Sequence, residues 1–147
     1  MIKLIVFDLD GVLVEARDFH YEALNRALAS FDEKYIISRE EHLSTYDGLN
    51  TSKKLWLLSQ SKGLSLDIHK EVWQKKQKFT HDIIKEKIHP YRHERLYYML
   101  KELKNNGYKI YCASNSIRSS VKLMLLKAGY LEHIDEYFSN EDVKSPK

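Results

Sequence analysis

The chain has 147 residues, 43% of them apolar and 31% charged, enough for one core, or for one core with an inserted unit. Its net charge of +3 is small, and lysines between Lys70 and Lys87 alternate with Glu71, Asp82 and Glu86, a solvated helix face rather than a nucleic-acid surface. No stretch approaches a membrane span, the N-terminal apolar run is too short for a signal peptide, and the one cysteine, Cys112, cannot form an internal disulfide, so a cytoplasmic protein is expected.

The apolar run Leu4 to Phe7 predicts a fully buried parallel strand that surfaces at Asp8-Leu-Asp10-Gly11. Asp-x-Asp-Gly is also an ordinary way to turn out of a strand. Position favours chemistry, because open parallel sheets bind ligands just beyond the carboxyl ends of their strands. Residues i and i+2 of an extended chain project to one side, so Asp8 and Asp10 can face one ligand. Two like charges held together need a cation, a shared proton or a phosphate–metal complex.

From Arg17 to Phe31 the spacing of Phe19, Ala23, Ala27, Leu28 and Phe31 predicts a helix. Ser38-x-x-Glu41 is a capping-box pattern that opens another. Asn50 or Thr51 caps a third running to about Lys62 before Gly63, and Asp67 caps a long fourth through Ile88, ended by Pro90. No strand pattern interrupts residues 17–88. Beyond Pro90 the reading is a helix over Glu94 to Asn106 with Gly107 past its end, and a strand over Tyr108 to Ala113. A helix over Ser116 to Ala128 and a short strand at Tyr137-Phe138-Ser139 follow. Strand, all-helical block, helix, strand, helix, strand predicts an α/β sheet interrupted by a helical unit.

Asp8-Leu-Asp10-Gly11-Val-Leu, a helical insert, Ala113-Ser114-Asn115-Ser116 after a second strand, and Glu141-Asp142-Val143-Lys144-Ser-Pro-Lys147 together resemble the haloacid dehalogenase-like hydrolases. The likeness runs the length of the chain. It is nearest to the branch with a helical cap that includes β-phosphoglucomutase and phosphoglycolate-type phosphatases. It implies a Rossmann-like parallel core over 1–16 and 89–147, incomplete at its C-terminus, with an inserted helical cap over 17–88.

The activity it implies is magnesium-dependent phosphatase action on a small phosphomonoester such as a sugar phosphate, through an aspartyl-phosphate. Asp8 would be the nucleophile and Asp10 the general acid and then base; both would hold Mg²⁺. The second acid argues against dehalogenation, whose carbon centre needs no such proton shuttle. Ser114 and the Asn115 amide, at a helix start, would hold the phosphoryl group, although Ser-Asn-Ser is also plain capping. Lys147 would neutralise charge there, with Lys144 as its alternative. Gly11, His20 at the entrance, and Gly48, Thr51 and Lys53 in the cap loop Tyr46-Asp47-Gly48-Leu49-Asn50-Thr51 would meet substrate. The partner implied is a small phosphorylated metabolite, not nucleic acid or membrane.

This sequence departs from the family pattern in places. Glu15-Ala16 stands where relatives carry Asp followed by Ser or Thr, and no glycine lies in Pro90-Tyr91-Arg92-His93-Glu94. The fourth, acidic motif would follow Lys147, where the sequence ends; a site short of that carboxylate is expected to hold Mg²⁺ more weakly. The first strand is then expected to be an exposed edge, open to self-association or to completion by another chain. Alternatives are a β-phosphoglucomutase-like phosphomutase and an inactive phosphate-binding or interaction module.

Overall fold

The structure, a computed structural model, describes residues 1, 3–90 and 92–145. Three strands, β1 (Leu4–Asp8), β2 (Lys109–Ala113) and β3 (Glu136–Phe138), form one parallel sheet in the order β1-β2-β3. The helices are α1 (Arg17–Ala29), α2 (Arg39–Glu41), α3 (Thr51–Lys62), α4 (His69–Lys87), α5 (Glu94–Asn105) and α6 (Arg118–Ala128). The chain divides into two compact units, Met1–Arg17 with Ile83–Lys147, and Asp18–Asp82.

In the sheet unit the register sets Asp8 opposite Ala113 and Ala113 opposite Phe138, so the three strands end in one row. Both crossovers step the same way along the sheet. Right-handed connections therefore bring α5 and α6 over the same face. Ile110 and Cys112 on one face are fully buried, whereas Leu4 and Val6 on the other are 47% and 55% exposed. This corrects the expectation of a fully buried first strand. Among the described residues β1 pairs only with β2, and its alternate side chains point to the face that the crossover helices leave open. Asp135 extends the pairing of β2 with the β3 side by one residue: its amide donates to the Ile110 carbonyl at 2.8 Å, and its carboxylate accepts from the Ile110 amide at 2.8 Å.

In the helical unit, Leu24, Leu28, Ile37, Tyr46, Leu55, Leu58, Leu64 and Val72 close one core. Non-helical chain is tied to it by side chains. Asn25 of α1 donates to the Ile37 carbonyl at 2.8 Å and accepts from the Ile37 amide at 2.9 Å, and the Tyr21 hydroxyl donates to the same carbonyl. The Ser38–Glu41 capping box forms with both of its bonds, but α2 is a single turn that widens over His42–Tyr46. Asn50, not Thr51, caps α3, and Gly63 ends it at φ 69°. Asp67 does not cap the fourth helix. Ser65 accepts the Asp67 amide and opens a tight turn over Leu66–Ile68 that leads into α4.

Candidate active site

The end of β1 delivers the acids. Asp8 is the last residue of the strand, and its Oδ1 accepts from the Leu9 amide at 2.9 Å. The chain then wraps on the Leu9 carbonyl, which accepts from the Val12, Leu13 and Val14 amides at 3.2, 3.0 and 3.0 Å. Gly11 turns with φ 78°, a conformation that costs a side chain strain, and its amide donates to the Val14 carbonyl at 2.8 Å. Leu9, Leu13, Val14 and Ala16 are buried, which anchors the turn carrying Asp10, whose Oδ1 lies below the surface. A buried apolar residue on each side of a polar turn is what holds Asp8 and Asp10 at the strand mouth.

Ser114 follows β2 directly. Its amide donates to the Phe138 carbonyl at 2.9 Å, and its hydroxyl accepts from the Ser116 amide at 3.1 Å. The helix expected from Ser116 begins at Arg118, so Asn115 lies in the preceding loop and not at a helix start. The first amide of that helix is already engaged: Arg118 N–H donates to the Glu141 carboxylate. The charge of Glu141 sits where a free anion would otherwise meet the helix terminus. Arg118 also bonds Asp142 Oδ2 and the Tyr137 carbonyl, each at 3.1 Å. Ser139 gives its amide and hydroxyl to Asp142 at 2.7 and 2.9 Å. The Ser139 amide bond, then its hydroxyl and the Arg118 charge, hold the Asp142 carboxyl below its ordinary range. The segment after β3 is thereby strapped to the start of α6. Lys147 lies outside the described residues.

The other sequence-derived site residues belong to the helical unit. His20, on α1, is within 3.3 Å of the Lys76 ammonium on α4. Lys76 is only 7% exposed, and reading the sequence as a solvated lysine face missed it. The one signal available was its position among Val72, Phe79 and Ile83 at helical spacing. Gly48 has φ 74° and open space where a Cβ would stand, while Thr51 and Lys53 lie in the first turn of α3, where the Lys53 amide donates to Asn50 at 2.9 Å. Asp8, Asp10, Gly11, Ser114 and Asn115 thus fall in the sheet unit, and His20, Gly48, Thr51 and Lys53 in the helical one.

Among the described residues no group of three or more His, Cys, Asp or Glu side chains is arranged around a metal position. The donors the sequence reading assigns to a metal here are oxygens, the Asp8 carboxylate and the Asp10 backbone carbonyl. Hard oxygen donors of that number suit Mg²⁺, which is commonly held by one or two carboxylates and keeps several waters. No helix among the described residues is long and apolar enough to cross a membrane.

A three-stranded parallel sheet with two acids and a serine at its carboxyl edge, joined to an all-helical unit, defines an α/β protein whose ligand site lies beyond the strand ends. Residues 5–147 match the family model of the haloacid dehalogenase-like hydrolases, and the chain belongs to that family. The fold is shared with CbbY from Rhodobacter sphaeroides, solved with xylulose 1,5-bisphosphate, at a TM-score of 0.82 and 19% identity over 100% of this chain and 67% of that one. It is also shared with β-phosphoglucomutase from Clostridium difficile (TM-score 0.68, 21% identity, 100% and 66% covered). A predicted phosphoglycolate phosphatase from Haemophilus somnus is a third relative in fold (TM-score 0.74, 18% identity, 99% and 66% covered). The chain spans about two thirds of the length of these structures. No curated protein matches it.

Proposed function

We propose that this chain carries the catalytic centre of a magnesium-dependent phosphatase that hydrolyses a small phosphomonoester, such as a sugar phosphate, through an aspartyl-phosphate. The observation that carries the reading is the row formed by Asp8, Ala113 and Phe138 at the carboxyl edge of the sheet, with Asp10 one turn beyond it and Ser114 beside it. Family membership supports hydrolysis, and the sugar bisphosphate held by CbbY supports the substrate class.

In this reading an Asp8 carboxylate oxygen attacks phosphorus while the ester P–O bond breaks, and Asp10 gives its proton to the departing alkoxide. Asp10, now a carboxylate, takes a proton from water; the water oxygen attacks phosphorus, the P–O bond to Asp8 breaks, and phosphate leaves. Ser114 donates its hydroxyl to the phosphoryl oxygens and the Asn115 amide orients them. Lys147 supplies positive charge to the same group. Mg²⁺ held by the Asp8 carboxylate and the Asp10 backbone carbonyl would neutralise charge on the nucleophile and phosphate, which leaves the Asp10 side chain to carry the proton.

His20, Gly48, Thr51 and Lys53 belong to substrate recognition, and the buried ammonium of Lys76 holds His20 in place. The helical unit takes the role of the family's cap, and the open β1 edge is the surface through which another strand pairs.

The test is Mg²⁺-dependent hydrolysis of an aryl phosphate and a sugar-phosphate panel by the 147-residue chain, with Asp8→Asn as control. Turnover should fall about a thousandfold or more in the variant, as for loss of a nucleophile elsewhere. Full activity in Asp8→Asn refutes the mechanism.

A further inference from the structure

The helical unit buries a cluster of titratable groups that the proposed reaction does not use. His42, in the wide turn after α2, is 5% exposed, and Lys54, in the first turn of α3, is 8% exposed. The His42 ring lies against Tyr21 of α1, with 4.6 Å between centroids, and its Nε2 stands 3.7 Å from Asp47 Oδ1. The charges acting on His42 come from every element around it. Asp18 lies on α1, Arg39 on α2, Asp47 in the following loop and Lys54 on α3. Arg39 is itself paired with Asp18 at 2.7 Å. Two cations and two anions therefore balance around a neutral imidazole, and a proton on His42 adds an uncompensated charge in a place removed from water.

That imidazole is coupled to a loop. The Asp47 amide donates to the His42 carbonyl at 2.7 Å, the Gly48 amide donates to Asp47 Oδ1 at 3.0 Å, and the Leu49 amide donates to the Tyr46 carbonyl at 3.2 Å. Tyr46 is buried in the helical core and Asn50 is engaged in capping α3, so both ends of the loop are secured. His42 meets Asp47, within that loop, through both its backbone carbonyl and its side chain.

We propose that His42 is a proton-operated latch on the Asp47–Leu49 loop: the neutral ring stays packed between Tyr21 and Asp47, and protonation drives it toward water and releases the loop. Burial, followed by the Lys54 charge, holds the His42 imidazole below its ordinary value, with Asp47 opposing. Burial does the same to Lys54. A lowered imidazole contributes stability that is present above the unfolded value of about 6.5 and is lost as pH falls below it toward the folded value. The latch is closed at neutral pH and opens on acidification. Its effect on substrate entry rests on the phosphatase reading; the latch itself does not.

The test is amide hydrogen exchange of the intact chain from about pH 7.5 down to about pH 5, each rate divided by that of an unstructured chain at the same pH. Protection at Asp47 and Leu49 should fall about tenfold, while amides in the middle of α3, such as Leu58, keep theirs. The loss should vanish in His42→Gln. In Lys54→Met its midpoint should move to higher pH, which a purely structural lysine would not produce. Imidazole NMR of the unmodified chain gives a reading that needs no variant: the His42 titration and the loop transition should share one midpoint. Protection that does not change with pH, or a loop transition whose midpoint differs from that of His42, overturns the latch. Neither readout uses catalysis, so failure here and failure of the phosphatase reading are separate results.

Discussion

Replacing Asp135 by alanine removes the acceptor of the Ile110 amide and the partner of Lys104 in one step. Ile110 is fully buried, so its N–H is left without an acceptor at a cost of about 1–3 kcal/mol. The Lys104–Asp135 side chains are 29% and 22% exposed, and breaking such a partly screened pair adds about 0.5 kcal/mol. The sum is about 1.5–3.5 kcal/mol, which lowers a urea midpoint by about 1–2 M at a slope of about 2 kcal/mol per M.

Asp135→Asn keeps an oxygen for Ile110 and forfeits only the charge, so about 1 kcal/mol is expected. The pH dependence is a further check. The Lys104 bond, followed by the Ile110 amide, holds the Asp135 carboxyl below its ordinary value. An unfolded chain therefore binds the proton first, and the stabilisation is present above the ordinary value of 3.8 and lost as pH falls through the depressed one. Urea denaturation of the three proteins at neutral pH and at about pH 3 should show the wild type and Asp135→Asn converging in acid. An alanine variant within about 0.5 kcal/mol of wild type, or a charge-dependent gap that does not narrow in acid, refutes the argument.

Two further substitutions probe the helical unit. Leu58→Ala opens a cavity in a fully buried cluster and should cost about 3–4 kcal/mol by chemical denaturation; a loss below about 1 kcal/mol would mean that the site collapses or is not packed. Asn25→Ala deprives buried Ile37 of bonds to both its amide and its carbonyl, leaving the carbonyl only Tyr21, and should cost about 2–3 kcal/mol with faster amide exchange at Ile37; unchanged exchange there would refute that tie.

What the sequence by itself determined is what acts over a few residues. The Ser38–Glu41 capping box, Asn50 before α3, Gly63 after it, and the apolar strand ending on Asp8 all depend on contacts between near neighbours, and these residues specify them wherever the segment sits. The alternation of strands and helices around an all-helical block then made the fold class legible, and the motifs at Asp8–Gly11 and Ala113–Ser116 carried the resemblance to the family.

Tertiary structure decided the rest. β1 is half exposed because the exposure of a strand depends on what covers each face, which an apolar run does not encode. Lys76 is buried against His20 and Lys54 near His42, although each reads locally as a surface lysine. Glu141 occupies the amide of Arg118, 23 residues away, so the terminus that looked open in sequence is already met by a carboxylate. Capping and periodicity are settled within a turn or two of chain, whereas burial and charge pairing depend on which distant segments meet as each unit folds.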